Sequence, residues 1–259
     1  MAHLVETEDK IILLPHIPKT GGISACNYLE QNFDFIFGQS ERPDIPPCSE
    51  LTIKINGHTT VTDCQRAMVD FYGDILSEKE TVLISVIRNP WSWWKSWFHF
   101  IPILIKNNDN DIEIEQNELY HNGNVDADKF FSWMEENKER CFFKERCFNT
   151  INPKEGLVSH IRPKVKKYDQ MINWTKCEIF DFDKSYTIQT HEQSQELPKI
   201  FSELGFDFET QVSLENESKS IDYTNEKFYN DNTREIVENF HKEDIEKYGF
   251  KWETCKDML

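Results

Sequence analysis

The chain has 259 residues, of which 38% are hydrophobic and 13% aromatic, a composition that supports a sizeable core and argues against wholesale disorder. Its 29 Lys and Arg against 46 Asp and Glu give a formal net charge of −17. This charge argues against a general nucleic-acid binder or a protein of anionic membrane surfaces, because both need a broad basic face. An anionic small molecule is compatible with it, since such a ligand needs only a local positive pocket.

In chain order the predicted elements are a strand at 10–16, a helix at 24–31, strands at 51–55 and 81–87, a helix at 91–99, a surface loop at 107–118, a helix at 126–138, a strand at 177–182, and helices at 192–204 and 233–248. The strand at 81–87 is apolar and mostly β-branched, which is typical of a central parallel strand. Because strands alternate with helices, we predict an α/β fold with a central parallel sheet flanked by helices.

The cysteines and the N-terminal segment predict the setting of the protein. The seven cysteines form no double CxxC pattern, and reduced thiols in a cytoplasmic protein are expected in a chain of this length. The first apolar run, residues 11–14, is far too short for a membrane helix and follows acidic residues. No repeat or linker divides the chain, so we predict a single domain over residues 1–259, with its core at about 10–252.

The segment HIPKTGGIS connects the first predicted strand to a helix. At such a turn, free backbone N–H groups and the helix dipole favour a phosphate-like group. Gly21 and Gly22 allow close backbone approach, Lys19 supplies positive charge, and Thr20 and Ser24 supply hydroxyl donors. The loop is not a Walker A motif, because its lysine precedes the glycines. The alternative is an ordinary strand–helix turn that contains glycine.

A second anion-binding pattern follows the strand predicted at 81–87. Arg88 comes at the carboxyl end of this strand, the edge where open α/β sheets bind ligands. Ser96 comes about two helical turns later, so that both side chains can face one crevice. A guanidinium and a hydroxyl together suit a second phosphate. The alternative is an arginine that caps the sheet edge beside core tryptophans.

Together these segments resemble a known family. Lys19 in PKTGG-x-S, followed by Arg88 in RNP with Ser96 eight residues later, resembles the sulfotransferases that use 3′-phosphoadenosine 5′-phosphosulfate. The resemblance is to the branch that includes heparan sulfate 2-O- and 6-O-sulfotransferases and related bacterial or viral enzymes. The pair Gly57-His58 after the second predicted strand, and the C-terminal helix with its final aromatic turn, fit the same branch.

The resemblance implies a donor, a product and a set of binding residues. The donor is 3′-phosphoadenosine 5′-phosphosulfate, the product is adenosine 3′,5′-bisphosphate, and no metal is required. The residues implied to bind the donor are Lys19, Thr20, Gly21, Gly22, Ile23, Ser24, Arg88 and Ser96. The first six resemble the loop for the 5′-phosphosulfate, and the last two resemble the site for the 3′-phosphate. Ile23 departs from the family's TGGTS loop, and Trp93 stands where the family often has a second arginine.

Sulfuryl transfer is an in-line displacement in which negative charge builds on the leaving oxygen, as in phosphoryl transfer. Lys19 is the residue expected to stabilise that charge. An acceptor hydroxyl also needs a base, and His58 is the candidate that the resemblance favours. The alternative bases are His16, His99, His160 and a carboxylate such as Asp63.

Two further groups of residues have open roles. The most basic run of the chain contains Arg162, Lys164, Lys166 and Lys167; it is either a wall of the ligand site or a solvated helix face. The tryptophans of the helix predicted at 91–99 are too many to be all in the core, so some are expected to face a cleft. They are Trp91, Trp93, Trp94 and Trp97.

The predicted activity is therefore transfer of a sulfuryl group to a hydroxyl of a carbohydrate or a small metabolite. Neither nucleic acid nor a membrane is expected as a partner, and the sequence leaves the oligomeric state open. One alternative is a nucleotide-dependent, kinase-like phosphoryl transferase, which the missing GK[ST] disfavours. The other is a non-catalytic nucleotide-binding protein.

Overall fold

The structure, a computed structural model, describes residues 2–33, 51–55, 60–106, 120–121, 124–125, 148–151, 158–161, 170–213 and 228–255. By its internal contacts the chain divides into two compact units. The first comprises Met1–Ile87, Glu145–Lys164 and Trp174–Asn216, and the second comprises Arg88–Lys144, Val165–Asn173 and Glu217–Leu259. The single sulfotransferase domain over residues 1–259 stays a prediction.

The strands are β1 (Ala2–Glu6), β2 (Lys10–Leu14), β3 (Leu51–Ile55), β4 (Glu80–Ile87), β5 (Tyr120–His121), β6 (Asn124–Val125), β7 (Phe148–Ile151), β8 (Val158–Ile161) and β9 (Lys184–Gln189). The helices are α1 (Gly22–Asn32), α2 (Val61–Tyr72), α3 (Pro90–Lys106), α4 (Met171–Thr175), α5 (Gln193–Glu203), α6 (Asp231–Phe240), α7 (Lys242–Tyr248) and α8 (Trp252–Cys255). The loop predicted at 107–118 and the helix predicted at 126–138 lie outside the described residues.

The first unit is built on a five-stranded sheet with the order β3-β1-β2-β4-β9. Strands β2, β4 and β9 are parallel neighbours, whereas β1 lies antiparallel between β2 and β3. The predicted α/β class is confirmed, but the sheet is mixed rather than wholly parallel. The physical reason is a hairpin: a tight turn, in which the N–H of Thr7 donates to the carbonyl of Lys10 at 2.8 Å, returns β1 directly onto β2.

Alternating residues of the strands form two apolar layers, one on each face of the sheet. One layer includes Ile12 and Ile84 and packs with residues of α1 and α5. The other includes Leu13 and Leu83 and packs with residues of α2. Because β2, β4 and β9 run in the same direction, their carboxyl ends meet at one edge of the sheet. The turns that follow β2 and β9 therefore begin at the same edge.

The strand predicted at 177–182 is wrong, since the third parallel strand is β9, two residues further on. A single side chain from α2 takes the place of a strand partner for this segment. The amide oxygen of Gln65 accepts hydrogen bonds from the N–H groups of Glu178 and Ile179, at 3.0 and 3.2 Å, and its Nε2 donates to the carbonyl of Phe180. With its backbone groups satisfied in this way, the segment needs no ladder.

Asp183 links the start of β9 to the start of β4. Its Oδ2 accepts hydrogen bonds from the N–H and the hydroxyl of Thr81, at 2.7 and 3.0 Å. These bonds favour the ionised carboxyl and lower the pKa of Asp183. The linkage therefore stabilises the fold above the ordinary carboxyl pKa of about 3.9, and the stabilisation is lost as the pH falls through the lowered value.

The second unit contains α3, which begins at Pro90, shortly after β4 ends at Ile87. The side chain of Asn89 caps this helix, since its Oδ1 accepts a hydrogen bond from the N–H of Trp91 at 3.2 Å. Pro90 occupies the first helical position, where its missing N–H is harmless. The Asn-Pro pair thus starts the helix, and the helix runs to Lys106, seven residues beyond the predicted end.

The four tryptophans of α3 correct another expectation, because all of them are buried. Tertiary packing explains this result: Trp94 donates to His241 at 2.7 Å, and Trp91 donates to the carbonyl of Arg234 at 3.2 Å. The helix predicted at 233–248 is also interrupted, at His241, and forms α6 and α7. Among the helices that the structure describes, none is both long enough and apolar enough to span a membrane.

Candidate functional site

The predicted anion-binding segment, residues 19–24 (here the 19–24 loop), connects β2 to the first turn of α1. Lys19 has a φ of 61° and Gly21 a φ of 78°, whereas Thr20 and Gly22 do not have positive φ. Successive residues of alternating hand turn their N–H groups toward one side, which is the geometry of an anion-binding nest. Gly21 is also the N-cap of α1 and has no capping side chain. The N–H of Ser24 already donates to the carbonyl of Gly21 at 3.0 Å, whereas the N–H groups at the very start of a helix have no acceptor within it.

Side chains from outside the loop lie close to both glycines. A Cβ at Gly21 would lie 2.5 Å from Nε2 of Gln193 and 3.0 Å from Cγ2 of Thr190. A Cβ at Gly22 would lie 2.5 Å from Cδ2 of His16. Since real Cβ atoms do not approach other atoms so closely, any side chain here would displace the loop or its neighbours.

The other residues of the loop differ in what they can offer a ligand. The hydroxyl of Thr20 is buried and donates to the carbonyl of Ile17 at 3.1 Å, so its single proton is used inside the fold. Ser24 is buried in the first turn of α1, whereas Ile23 is 46% exposed. The Lys19 side chain is half-buried. The loop therefore offers an anion backbone N–H groups and one ammonium group rather than the hydroxyl of Thr20.

The carbonyl of Thr20 is held by two side chains that the sequence did not single out. Oγ1 of Thr190 lies 2.8 Å from this oxygen, and Nε2 of Gln193 lies 3.3 Å from it. Both residues follow β9, within or just after a 3₁₀ turn, Thr190–Glu192. A capping box fixes this turn, since the N–H of Gln189 donates to Glu192 at 3.1 Å. No sequence signal marks Thr190 or Gln193, which are about 170 residues away from the loop.

Arg88 and Ser96 lie in the second unit. Arg88 follows the last residue of β4, and both its side chain and that of Ser96, in the second turn of α3, are half-buried. The neighbouring Asn89 contacts the segment between α7 and α8, because its Nδ2 donates to the carbonyl of Lys251 at 3.0 Å. Asn89 and Pro90 of the RNP motif therefore start the helix and fix its position.

The structure describes some of the candidate bases and not others. His58 falls in residues 56–59 and, like Arg162, Lys164, Lys166 and Lys167, lies outside the described residues. The strand before it is described: β3 pairs with β1 so that Ile55 lies opposite Ala2, and the next residue of β1, His3, lies opposite Leu14 of β2. The carboxyl end of β3 is therefore at the same edge of the sheet as that of β2.

Of the alternative bases, His16 and Asp63 pack against or hydrogen-bond to other parts of the fold. The ring of His16 packs against Gly22. Asp63 is buried and accepts hydrogen bonds from the hydroxyl of Thr60 at 2.9 Å and from Arg66 at 2.7 Å, which is a helix-capping arrangement. His99 belongs to α3 and His160 to β8. Within the described ranges, no group of three or more His, Cys, Asp or Glu residues is arranged to hold a metal ion.

Comparison of the chain with protein-family models, with curated proteins and with solved structures finds no match. Two features of the chain itself bear on its function. One is the 19–24 loop with the residues that hold it, and the other is the Arg88 segment at the end of β4.

Proposed function

We propose that the protein is a sulfotransferase that moves a sulfuryl group from 3′-phosphoadenosine 5′-phosphosulfate to an acceptor hydroxyl. The observation that carries the proposal is the backbone of the 19–24 loop. Its alternating φ values, its two side-chain-free positions and its place before α1 suit it to an anion. The chain has a net charge of −17, and the lysine at this turn supplies the local positive charge that an anion needs.

Two features favour a phosphosulfate donor over ATP. The loop has its lysine before the glycines, and no GK[ST] follows them, so the Mg²⁺-binding hydroxyl of a Walker A loop is missing. Arg88 supplies a second cation directly after the neighbouring parallel strand. A guanidinium there suits a nucleotide with a separate 3′-phosphate, which ATP does not have.

The donor supplies an activated sulfuryl group, and each proposed residue has one task in its transfer. Lys19 and the N–H groups of the loop hold the negative charge that develops on the leaving phosphate oxygen. Arg88 and Ser96 bind the 3′-phosphate and so orient the nucleotide. His58 takes the proton from the acceptor hydroxyl as its oxygen bonds to sulfur.

For the acceptor, we propose a carbohydrate or a small hydroxylated metabolite. The net charge of −17 opposes the approach of a highly sulfated polymer, except over a basic cleft. A screen of hydroxylated acceptors with labelled sulfuryl donor and mass-spectrometric detection identifies the product. Absence of transfer to any sugar, phenol or alcohol, despite nucleotide binding, would favour the non-catalytic binding protein.

A thermal-shift panel tests the nucleotide class. Adenosine 3′,5′-bisphosphate at 100 times its Kd is expected to stabilise the folded protein by about 2.7 kcal/mol, without Mg²⁺. A kinase-like protein would instead respond to ATP only when Mg²⁺ is present. No response to the bisphosphate at millimolar concentration would contradict the proposal.

Arg88→Ala is expected to weaken binding of adenosine 3′,5′-bisphosphate by about 10-fold or more, since a hydrogen-bonded charge pair contributes roughly 1.5–3 kcal/mol. Binding of adenosine 5′-phosphate should be nearly unchanged, because this nucleotide lacks the 3′-phosphate. Calorimetric titration of both nucleotides measures the difference, and Arg88→Lys provides an intermediate that keeps the charge without the fork. Equal losses for the two nucleotides would exclude Arg88 from the 3′-phosphate site.

His58→Ala is expected to lower turnover by ~10² or more, as for loss of a general base, while the affinity for the bisphosphate stays the same. The variant should also lose the ascending limb of the pH–rate profile. Steady-state kinetics across pH with the identified acceptor, together with titration of the nucleotide, measure both effects. Wild-type turnover in His58→Ala would place the base elsewhere, and His160 would be tested next.

A further inference from the structure

We propose that Thr190 and Gln193 are positioning residues of the anion site: by holding the carbonyl of Thr20 they direct the N–H of Gly21 toward the bound anion. This inference rests on the proposed anion-binding function of the 19–24 loop. It adds a third chain segment, the turn after β9, to a site that sequence motifs assign to the segments after β2 and β4.

Two side chains at this turn, those of Thr190 and Gln193, contact the same backbone oxygen, that of Thr20. The carboxamide of Gln193 donates to the carbonyls of Thr20 at 3.3 Å and Thr190 at 3.0 Å. Oγ1 of Thr190 lies 2.8 Å from the oxygen of Thr20 and 3.0 Å from that of Ile87, so its single proton serves one of the two at a time. Ile87 is the last residue of β4. The Thr190 hydroxyl thus contacts both the 19–24 loop and the strand end before Arg88.

Holding this carbonyl determines where the next N–H points. The described residues contain no cis peptide bond, and in a trans peptide the C=O and N–H groups point in opposite directions. The Thr20 carbonyl faces the turn after β9, so the N–H of Gly21 faces away from that turn. Lys19 also has a positive φ, which a residue with a side chain keeps only when its surroundings enforce it. The two hydrogen bonds to the next residue supply such a constraint.

The Gln193 amide also has a feature that a purely structural role does not explain. The side chain is fully buried, yet its Oε1 has no hydrogen-bond partner in the described part of the chain. Flipping the amide would not help, because Oε1 would then face the carbonyls of Thr20 and Thr190. A buried acceptor without a partner costs stability. The presence of a glutamine at this buried position is therefore better explained by the loop geometry that its N–H groups maintain.

Thr190→Val and Gln193→Met remove the donors while keeping approximate side-chain size. Each variant is expected to weaken binding of adenosine 3′,5′-bisphosphate and of adenosine 5′-phosphate about 3- to 10-fold, since a neutral hydrogen bond contributes little more to the binding free energy. The equal effect on both nucleotides distinguishes this site from that of Arg88. Gln193→Met removes the orphan acceptor but also the donor to the carbonyls of Thr20 and Thr190, so its two effects on the Tm oppose each other. Thr190→Ser, which retains the hydroxyl, should restore the affinity.

The matched controls are Thr187→Val on β9 and Gln195→Met on α5, both at exposed positions; neither should alter nucleotide binding. Amide hydrogen exchange of residues 17–24, measured without ligand, should be faster in Thr190→Val than in Thr187→Val. Unchanged exchange together with unchanged affinity would overturn the proposal, as would an affinity loss that Thr190→Ser does not reverse. If the wild-type protein binds neither nucleotide, the proposed function fails. In that case the exchange rates still test the positioning role: faster exchange in Thr190→Val supports it, and unchanged exchange rejects it.

Discussion

Lys19→Ala is expected to lower turnover by ~10²–10³, the usual effect of removing a preorganised group that stabilises developing charge. The same change should also weaken binding of the bisphosphate, because in the proposed function the Lys19 ammonium contacts the nucleotide before and during transfer. This behaviour separates Lys19 from His58, whose loss should affect turnover alone. Single-turnover rates with saturating donor, together with calorimetric titration of the bisphosphate, measure the two effects separately.

A glycine at the same position separates chemistry from folding. Lys19 has a φ of 61°, a conformation that glycine adopts without strain. Lys19→Gly should therefore keep or raise the Tm while losing as much activity as Lys19→Ala. Lys199→Ala, which removes an exposed lysine of α5, is the control for a general change in charge. Turnover near the wild-type rate in Lys19→Gly would show that another group stabilises the leaving oxygen.

The elements that the sequence predicted well are those with a strong local signal. The run at Leu51–Ile55 ends at Asn-Gly and matches β3 in full, and the apolar run at 81–87 matches β4 to within one residue. Strand β1 gives no such signal, because His3 and Glu6 interrupt its apolar residues. It is a strand because it pairs on both sides, with β2 and with β3. Such long-range pairing is not visible in a local window.

Helix α2 was not predicted, although the sequence contains part of its signal. Thr60 caps the helix, and its hydroxyl accepts from the N–H of Asp63 at 3.1 Å, so a threonine followed three residues later by an acid marked the start. In α6 and α7 the apolar pattern was continuous, and the break falls at His241, whose imidazole contacts Trp94 of α3.

The candidate site was predictable to the extent that it is local. The two glycines and the lysine of the 19–24 loop occupy the turn that the motif indicated, and the close approach at Gly21 and Gly22 explains the absence of side chains. The part taken by Thr190 and Gln193 could not be predicted, since it joins residues separated by 170 and 173 positions. The hydroxyl of Thr20 was predicted as a ligand donor, whereas in the structure it donates to the carbonyl of Ile17.

Asp244 lies at the centre of a buried polar network in the second unit. Its carboxylate accepts hydrogen bonds from the N–H groups of Met171 and Ile172 and from Nδ1 of His241, each at 2.7 Å. The indole N–H of Trp94 can only donate, and it lies 2.7 Å from Nε2 of His241. Nε2 of His241 therefore accepts the bond from Trp94, and its Nδ1–H donates to Asp244. The network connects α3, α4 and α7 through one imidazole and one carboxylate.

Asp244→Ala is expected to destabilise the second unit by about 3–5 kcal/mol, because it removes the acceptor of three donors, two of them buried. Urea unfolding followed by tryptophan fluorescence measures the loss, since Trp91, Trp93, Trp94 and Trp97 are all buried in this unit. Glu246→Ala removes an exposed carboxylate of the same helix that lies 4.0 Å from Lys242, and this control should cost about 0.5 kcal/mol or less. Asp244→Asn should be less destabilising than the alanine variant, since the amide retains one acceptor oxygen. A loss below about 1 kcal/mol in Asp244→Ala would show that water satisfies these donors.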